Sequence, residues 1–289
     1  MHSKRRRKNR LGIFILVSIF ILGSFSLFVF FYSKSRSSKL LRQLKDEITV
    51  ASFNIKVFGP SKLSNESVMK YIVEIIKSFD IVAIQEIRSS QKDILQALVN
   101  LLGNDWDYRS SNRLGRTSYK EQYGFVFRKN IITVESTFQV LDPTDLLHRE
   151  PFICYCRSGN FDFSLINIHT DPDEVKEEIN YLDDILTQEL NKEQDAILLG
   201  DFNASPSKFD ELALISNLFT VILEKTPTNV RESATYDNIV FLKTNVREYV
   251  QGGVFNFKKI YNLDEDFALK ISDHYPVYAT FRTDLPDDD

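Results

Sequence analysis

Residues 161–203 read FDFSLINIHTDPDEVKEEINYLDDILTQELNKEQDAILLGDFN. The first nine residues carry apolar side chains at alternate positions and stop at His169, the pattern of a strand. DPDE at 171–174 opens a helix, with Pro172 suited to its first turn, and Val175, Ile179, Leu182, Leu186 and Leu190 then recur at helical spacing. AILLG is a short apolar run of the kind buried on both faces of a sheet, and it ends in Asp201 and Asn203. Strand, helix and strand follow one another, and each strand finishes on side chains that can do chemistry.

The pattern repeats on either side. ITVASFNIKVF (48–58) and DIVAIQEIR (80–88) read as strands, separated by Val68, Ile72, Ile75, Ile76 and Phe79 at helical period; Ile94, Leu95, Leu98, Leu101 and Leu102 form a second helix that Gly103 ends. Further strands are expected at YGFVFR, ITVESTFQV, FICYC, DNIVFLK and PVYATFR. Strands in this number, with helices between some of them, imply an α/β fold of two packed sheets flanked by helices. One domain is expected over 46–284, with an acidic tail at 285–289.

Residues 1–45 differ in composition. They hold eleven Lys and Arg and no Asp or Glu, around an unbroken apolar run from Leu11 to Tyr32. Those 22 residues would rise about 33 Å as a helix, enough to cross a hydrocarbon core of about 30 Å. The run is longer than a signal-peptide core, so a retained transmembrane anchor is expected, with a secreted form only if it is cleaved. KRRRKNR at 4–10 places the amino terminus in the cytoplasm and the domain on the extracytoplasmic side; the basic juxtamembrane linker ending at Lys45 suits anionic headgroups of the bilayer. From residue 46 onward, 25 Lys and Arg face 40 Asp and Glu, a net charge near −15. Such a domain cannot hold nucleic acid by overall charge, so a polyanionic substrate needs divalent cations or a local cationic patch. The only cysteines, Cys154 and Cys156, read as small buried hydrophobes.

The polar residues that interrupt or end the apolar runs form a set: Asn54, Glu86, His169, Asp201, Asn203, Asp237, Asp273 and His274. Strand ends gather at one rim of a sheet, so these side chains can converge. Carboxylates, amides and imidazoles without a cysteine cluster suit a hard cation such as Mg²⁺, Mn²⁺ or Ca²⁺, and imidazoles move protons near neutral pH. Together they are equipment for phosphodiester hydrolysis.

FNIKVFG, IVAIQEIR, LGRTSYKEQYGFVFR, REPF, INIHTDPDEVKEEINYL, LLGDFNAS, TYDNIVF and ISDHYPV resemble, in order, the motifs of deoxyribonuclease I within the endonuclease/exonuclease/phosphatase superfamily. The resemblance implies a four-layer α/β/β/α sandwich of mostly antiparallel sheets and a nuclease acting on double-stranded DNA with Mg²⁺ or Mn²⁺. It assigns Glu86, Asp273, Asn54 and Asp201 to metal, Asp201 and Asn203 to the scissile phosphate, and His169 backed by Glu121 and His274 backed by Asp237 to acid and base. It assigns Arg88, Tyr119 and Arg116 to the minor groove and Arg149 to phosphate, with weak sequence preference. It also implies a structural calcium loop through Asp142, Asp145 and Glu150; where family members carry a disulfide, this chain departs from them with Ser205, Pro206 and Ala234. A monomer is expected. Two other functions compete: a lipid phosphodiesterase (sphingomyelinase) or phosphoinositide phosphatase on the same scaffold, and a non-catalytic binding or adhesion domain.

Overall fold

The computed structural model describes residues 46–90 and 93–286. The expected anchor at 1–45 and the last residues of the acidic tail lie outside them. Among the described residues no helix is long and apolar enough to cross a membrane.

In chain order the elements are β1 (Glu47–Phe58), α1 (Pro60–Leu63), α2 (Glu66–Lys77), β2 (Ile81–Ile87), α3 (Ile94–Leu102), β3 (Trp106–Ser110), β4 (Gln122–Arg128), β5 (Thr133–Gln139), β6 (Phe152–Ser158) and β7 (Phe161–His169). There follow α4 (Val175–Leu190), β8 (Ala196–Asp201), β9 (Leu218–Thr220), β10 (Asp237–Leu242), β11 (Tyr249–Val254), α5 (Phe257–Ile260), α6 (Glu265–Ile271) and β12 (Val277–Arg282). Two six-stranded sheets result, ordered β11-β12-β1-β2-β4-β3 and β5-β6-β7-β8-β10-β9. Each contains one parallel pair, β1 with β2 and β7 with β8, and is otherwise antiparallel.

Alternation along the strands builds the layers. In β1, Ala51, Phe53 and Ile55 face α2 and α3, whereas Ile48 and Val50 face the other sheet. In β7, Phe161, Phe163 and Leu165 join that inter-sheet core, whereas Ile166 and Ile168 pack on α4. Helices, sheet, sheet and helix are thus stacked in four layers, as the sequence implied. Asn65 caps α2 by accepting the Val68 N–H, and Asp93 caps α3 by accepting that of Gln96. Gly103 closes α3 at φ 105°, a conformation glycine tolerates.

The structure corrects two local expectations. DPDE does not open α4: residues 171–174 form a turn in which Asp173 N–H bonds Asp171 Oδ1, and the helix starts at Val175. The Asx-type turn competes with the helix for the same backbone groups. Three strands were not anticipated, β3, β9 and β11; β9 is three residues long, and β11 carries Gly252 and Gly253, so neither has a readable alternation.

Candidate active site

The inter-sheet face turns polar toward one end. On β1 the inward series runs Ile48, Val50, Ser52, Asn54; on β2, Ile81, Ala83, Gln85; on β7, Phe163, Leu165, Asn167, His169; on β8, Ile197, Leu199, Asp201. β1, β2, β7 and β8 all point their carboxyl ends at this rim, and β10 and β12 begin there, which brings Asp237 and the Asp273-His274 pair to it. Asp237 pairs in register with Asp201, and Asp201 with His169.

Backbone distortions aim the remaining groups. The β1–β2 ladder slips between Asn54 and Phe58, and the β2–β4 ladder between Ile84 and Ile87. Glu86 sits in the second bulge at φ 59°, with Lys56 and Val57 at φ 26° and 50° in the first and Asn203 at 47°. Left-handed backbone at non-glycine residues is strained and concentrates at functional sites. Gly200, at φ 156°, is required just before Asp201, because a Cβ there would stand 2.0 Å from the Ile168 carbonyl oxygen.

At the centre is the carboxylate of Asp201, 1% exposed. Its Oδ2 lies 3.7 Å from Nε2 of His169 and 3.5 Å from Nε2 of His274. Each imidazole has its other nitrogen on a second buried carboxylate: His169 Nδ1 is 2.7 Å from Glu121 Oε1, and His274 Nδ1 is 2.9 Å from Asp237 Oδ2. Burial opposes a charge on His274, but Asp237 and Asp201 outweigh it and push its pKa up to about 10. His169 is raised in the same way, burial being overcome by Glu121. Burial pushes Asp237 up to about 6, with Asp201 adding repulsion and His274 opposing. Burial would raise Asp201 too, yet His274 and His169 hold it below the ordinary aspartate range.

Asn54 stands beside this group and donates from Nδ2 to Asp201 Oδ2 at 3.0 Å and to Glu86 Oε1 at 3.2 Å. Glu86 Oε2 accepts the Val57 N–H at 2.9 Å and pairs with Arg88 at 3.0 Å. Asp273 is paired with the ammonium of Lys56. Asn203 has its amide on the Thr170 carbonyl at 2.8 Å and its N–H on Asp201 Oδ1 at 2.9 Å.

Asp201, Asp237 and His274 form a group of three whose metal-ligating atoms all lie within 4.8 Å of one another. The bond between His274 Nδ1 and Asp237 ties up two of those three, so the group reads as proton-handling. The oxygen donors better suited to a divalent cation are Glu86, Asp273, Asp201 and the Asn54 amide, all hard ligands. Glu86 and Asp273 each already draw a cationic side chain, Arg88 and Lys56, which marks that side of the rim as favourable to positive charge.

Not all the expected contacts come together as read. Arg116 is engaged by Asp145 Oδ1 at 3.0 Å and Glu174 Oε2 at 2.6 Å instead of standing free for DNA. Asp142 caps its own loop by accepting the Leu147 N–H at 2.7 Å, and Glu150 is not drawn into a cluster with it and Asp145. At the loop expected to hold calcium, Asp145 pairs with the guanidinium of Arg116. Arg149 is buried, its Nε donating to the His169 carbonyl at 2.9 Å and lying 3.5 Å from Glu121, so it braces the His169–Glu121 pair from behind. Arg88 joins Glu86 to Glu121 Oε2, 3.4 Å away, while Tyr119 is 75% exposed.

Sequence reading missed Lys56 and Lys62. Lys62 donates to the carbonyls of Ile55 and Ile271 at 2.8 Å each and to that of Lys56, tying the β1 bulge to the end of α6 beside Asp273. Burial lowers its pKa to about 8, against the pull of Glu86 and Asp273. No pattern in the sequence marks either lysine; the bulge brings in Lys56, and Lys62 reaches it from α1.

Residues 51–214 match the Endonuclease/Exonuclease/phosphatase family. Deoxyribonuclease gamma of Rattus norvegicus is 34% identical over 257 residues, which cover 80% of this chain and 83% of that one. Deoxyribonuclease-1 of Bos taurus is 34% identical over 265 residues, covering 83% and 94%. Among solved structures, humanized D. rerio TDP2 matches with a TM-score of 0.63 at 16% identity, covering 83% of this chain and 100% of that one. The human Nocturnin catalytic domain with bound sulfate anion matches with a TM-score of 0.59 at 19% identity, covering 82% and 94%. These two speak to the fold alone.

Proposed function

The chain belongs to the Endonuclease/Exonuclease/phosphatase family, among its deoxyribonuclease I-like nucleases, and from that premise we propose that it is a divalent-metal-dependent endonuclease hydrolysing the phosphodiester bonds of double-stranded DNA with little sequence preference. The observation that carries this reading is the shared Asp201 oxygen, faced by two imidazoles each backed by its own buried carboxylate. Glu121 and Asp237 hold the Nδ1 protons, which leaves both Nε2 atoms to work on one spot. There, one imidazole in its neutral form takes the proton of an attacking water and the other, as imidazolium, gives a proton to the leaving oxygen. Glu86, Asp273 and Asp201, with Asn54, would hold a Mg²⁺ or Mn²⁺ ion, which when bound neutralises phosphate charge as a Lewis acid. Asn203, fixed by Thr170, orients the phosphate. Arg88 and Tyr119 face the minor groove.

In the same proposal residues 11–32 anchor a monomer in the bilayer, with the amino terminus cytoplasmic and the domain extracytoplasmic.

The test is supercoiled plasmid incubated with the full chain in mild detergent and Mg²⁺, beside a parallel incubation with sphingomyelin. Nicking is expected, abolished by chelator and lowered at least about 100-fold by His169→Ala or His274→Ala. Hydrolysis of sphingomyelin with plasmid left intact would replace the nuclease reading with the lipid one.

A further inference from the structure

Between the apolar inter-sheet core and the catalytic rim lies a layer of three fully buried polar side chains, Ser52, Gln85 and Asn167. Each belongs to the inward series of its strand: Ser52 is two residues before Asn54, Asn167 two before His169, and Gln85 one before the bulged Glu86. Gln85 Nε2 donates to Asn167 Oδ1 at 2.7 Å and to Ser52 Oγ at 3.0 Å. Asn167 Nδ2 donates to the carbonyls of Ile84 and Gly124, 3.3 Å from each. Those two residues are the last regular β2–β4 pair before the bulge that carries Glu86.

The arrangement is costly for the fold. Gln85 Oε1 is buried with no partner, and an unsatisfied buried acceptor forfeits its hydration. Apolar side chains of similar volume would pack here without that loss. What they would lack is direction, because hydrophobic contact between two sheets does not fix their relative position, whereas a 2.7 Å amide–amide bond does.

We propose that Gln85 and Asn167 are positioning residues, a polar clasp across the two sheets that holds the Glu86 bulge of one at a set distance from His169 of the other. Glu86 reaches Asp201 through Asn54, and His169 reaches the same oxygen from the opposite sheet. A small slide between sheets would therefore part the cation ligands from the imidazole that must serve the same phosphate. Placement errors of this size lower turnover more than binding. The inference rests on the nuclease reading for its substrate, while the clasp and its effect on Glu86 do not.

The experiment compares the full chain with the variant Gln85→Met/Asn167→Leu, in which the clasp is replaced by apolar side chains. Three quantities are read: the thermal midpoint in chelator, the Mn²⁺ concentration that half-saturates thermal stabilisation, and kcat and KM for plasmid nicking. The midpoint is expected to hold or rise, the Mn²⁺ requirement to increase at least fivefold, and kcat to fall at least tenfold with KM unchanged. Should the double variant fail to fold, Gln85→Met alone removes the amide–amide bond within nearly the same volume while leaving those of Asn167 to Ile84 and Gly124, and a fivefold fall in kcat is expected. A folded variant with kcat and Mn²⁺ requirement within twofold of the parent overturns the clasp. A parent chain that binds Mn²⁺ but does not nick plasmid tells against the nuclease reading, and the Mn²⁺ comparison then decides the clasp by itself. A parent that does neither overturns both.

Discussion

His274 illustrates how much of this site is electrostatics set by single side chains. Its imidazolium is held to about 10 by Asp237 and Asp201 against the cost of burial, compared with about 6.5 in an unfolded chain. A raised basic group stabilises the fold fully below its unfolded pKa, and the contribution is lost as pH rises through the folded value. His169 is raised for the same reason. Lys62 works the other way, because burial lowers it to about 8 and an ammonium that is easier to lose when folded adds stability as pH climbs above that value. Between about pH 6.5 and 8 the imidazoles therefore act unopposed by Lys62. The metal-free protein in chelator is expected to melt at progressively lower temperature across that window, and His274→Asn to flatten the slope; a profile that rises, or a variant that keeps the parent slope, contradicts the charge assignment. The pairing of His274 with Asp237 was legible in the sequence only through resemblance, since 37 residues separate them and no spacing rule connects them.

At the scale of elements, the parallel pairs β1–β2 and β7–β8 do the positioning, and their local irregularities matter as much as their regular parts. Gly200 lets β8 pass the Ile168 carbonyl so closely that no other residue fits. Gly200→Ala is expected to destabilise the domain by about 3 kcal/mol, seen as a lower denaturant midpoint; an unchanged midpoint would mean that β7 and β8 can part without loss. The loop after β8 is held without the disulfide that family members carry. Glu224 accepts hydrogen bonds from the Ser205 hydroxyl and from the amide and hydroxyl of Ser207, each 2.8 Å long. The long strands could be read from the sequence, because β7 alternates and β2 and β8 are continuous apolar runs that record burial on both faces. The bulges at Lys56–Val57 and Glu86 could not, because left-handed backbone at Lys, Val or Glu carries no local sequence signal.

Taken whole, the domain is a strongly acidic body with a few cations at one rim: Lys56, Lys62, Arg88 and the buried Arg149. Its attraction for DNA is then local and easily screened. Two phosphate contacts would give about a 60-fold loss of DNA affinity for a tenfold rise in NaCl, and the nicking rate at limiting plasmid is expected to follow; a salt-independent rate would point to contacts beyond this rim. Arg116 pairs with Asp145 and Glu174, so the loop carrying Tyr119 is braced by an ion-pair network.

The sequence by itself determined the layered architecture, the strands that carry chemistry and the residue types at their ends, because burial on one face leaves period-two alternation, burial on both leaves a continuous apolar run, and either record stops where polar groups begin. Only the tertiary structure decided which partners meet. Asp201 between two imidazoles, Lys56 of the β1 bulge on Asp273, Lys62 of α1 on the Ile271 carbonyl, Arg116 on Asp145, and the Gln85–Asn167 clasp are contacts between elements distant in sequence. They depend on the register and spacing of two sheets packed face to face, and no local pattern of residues encodes that spacing.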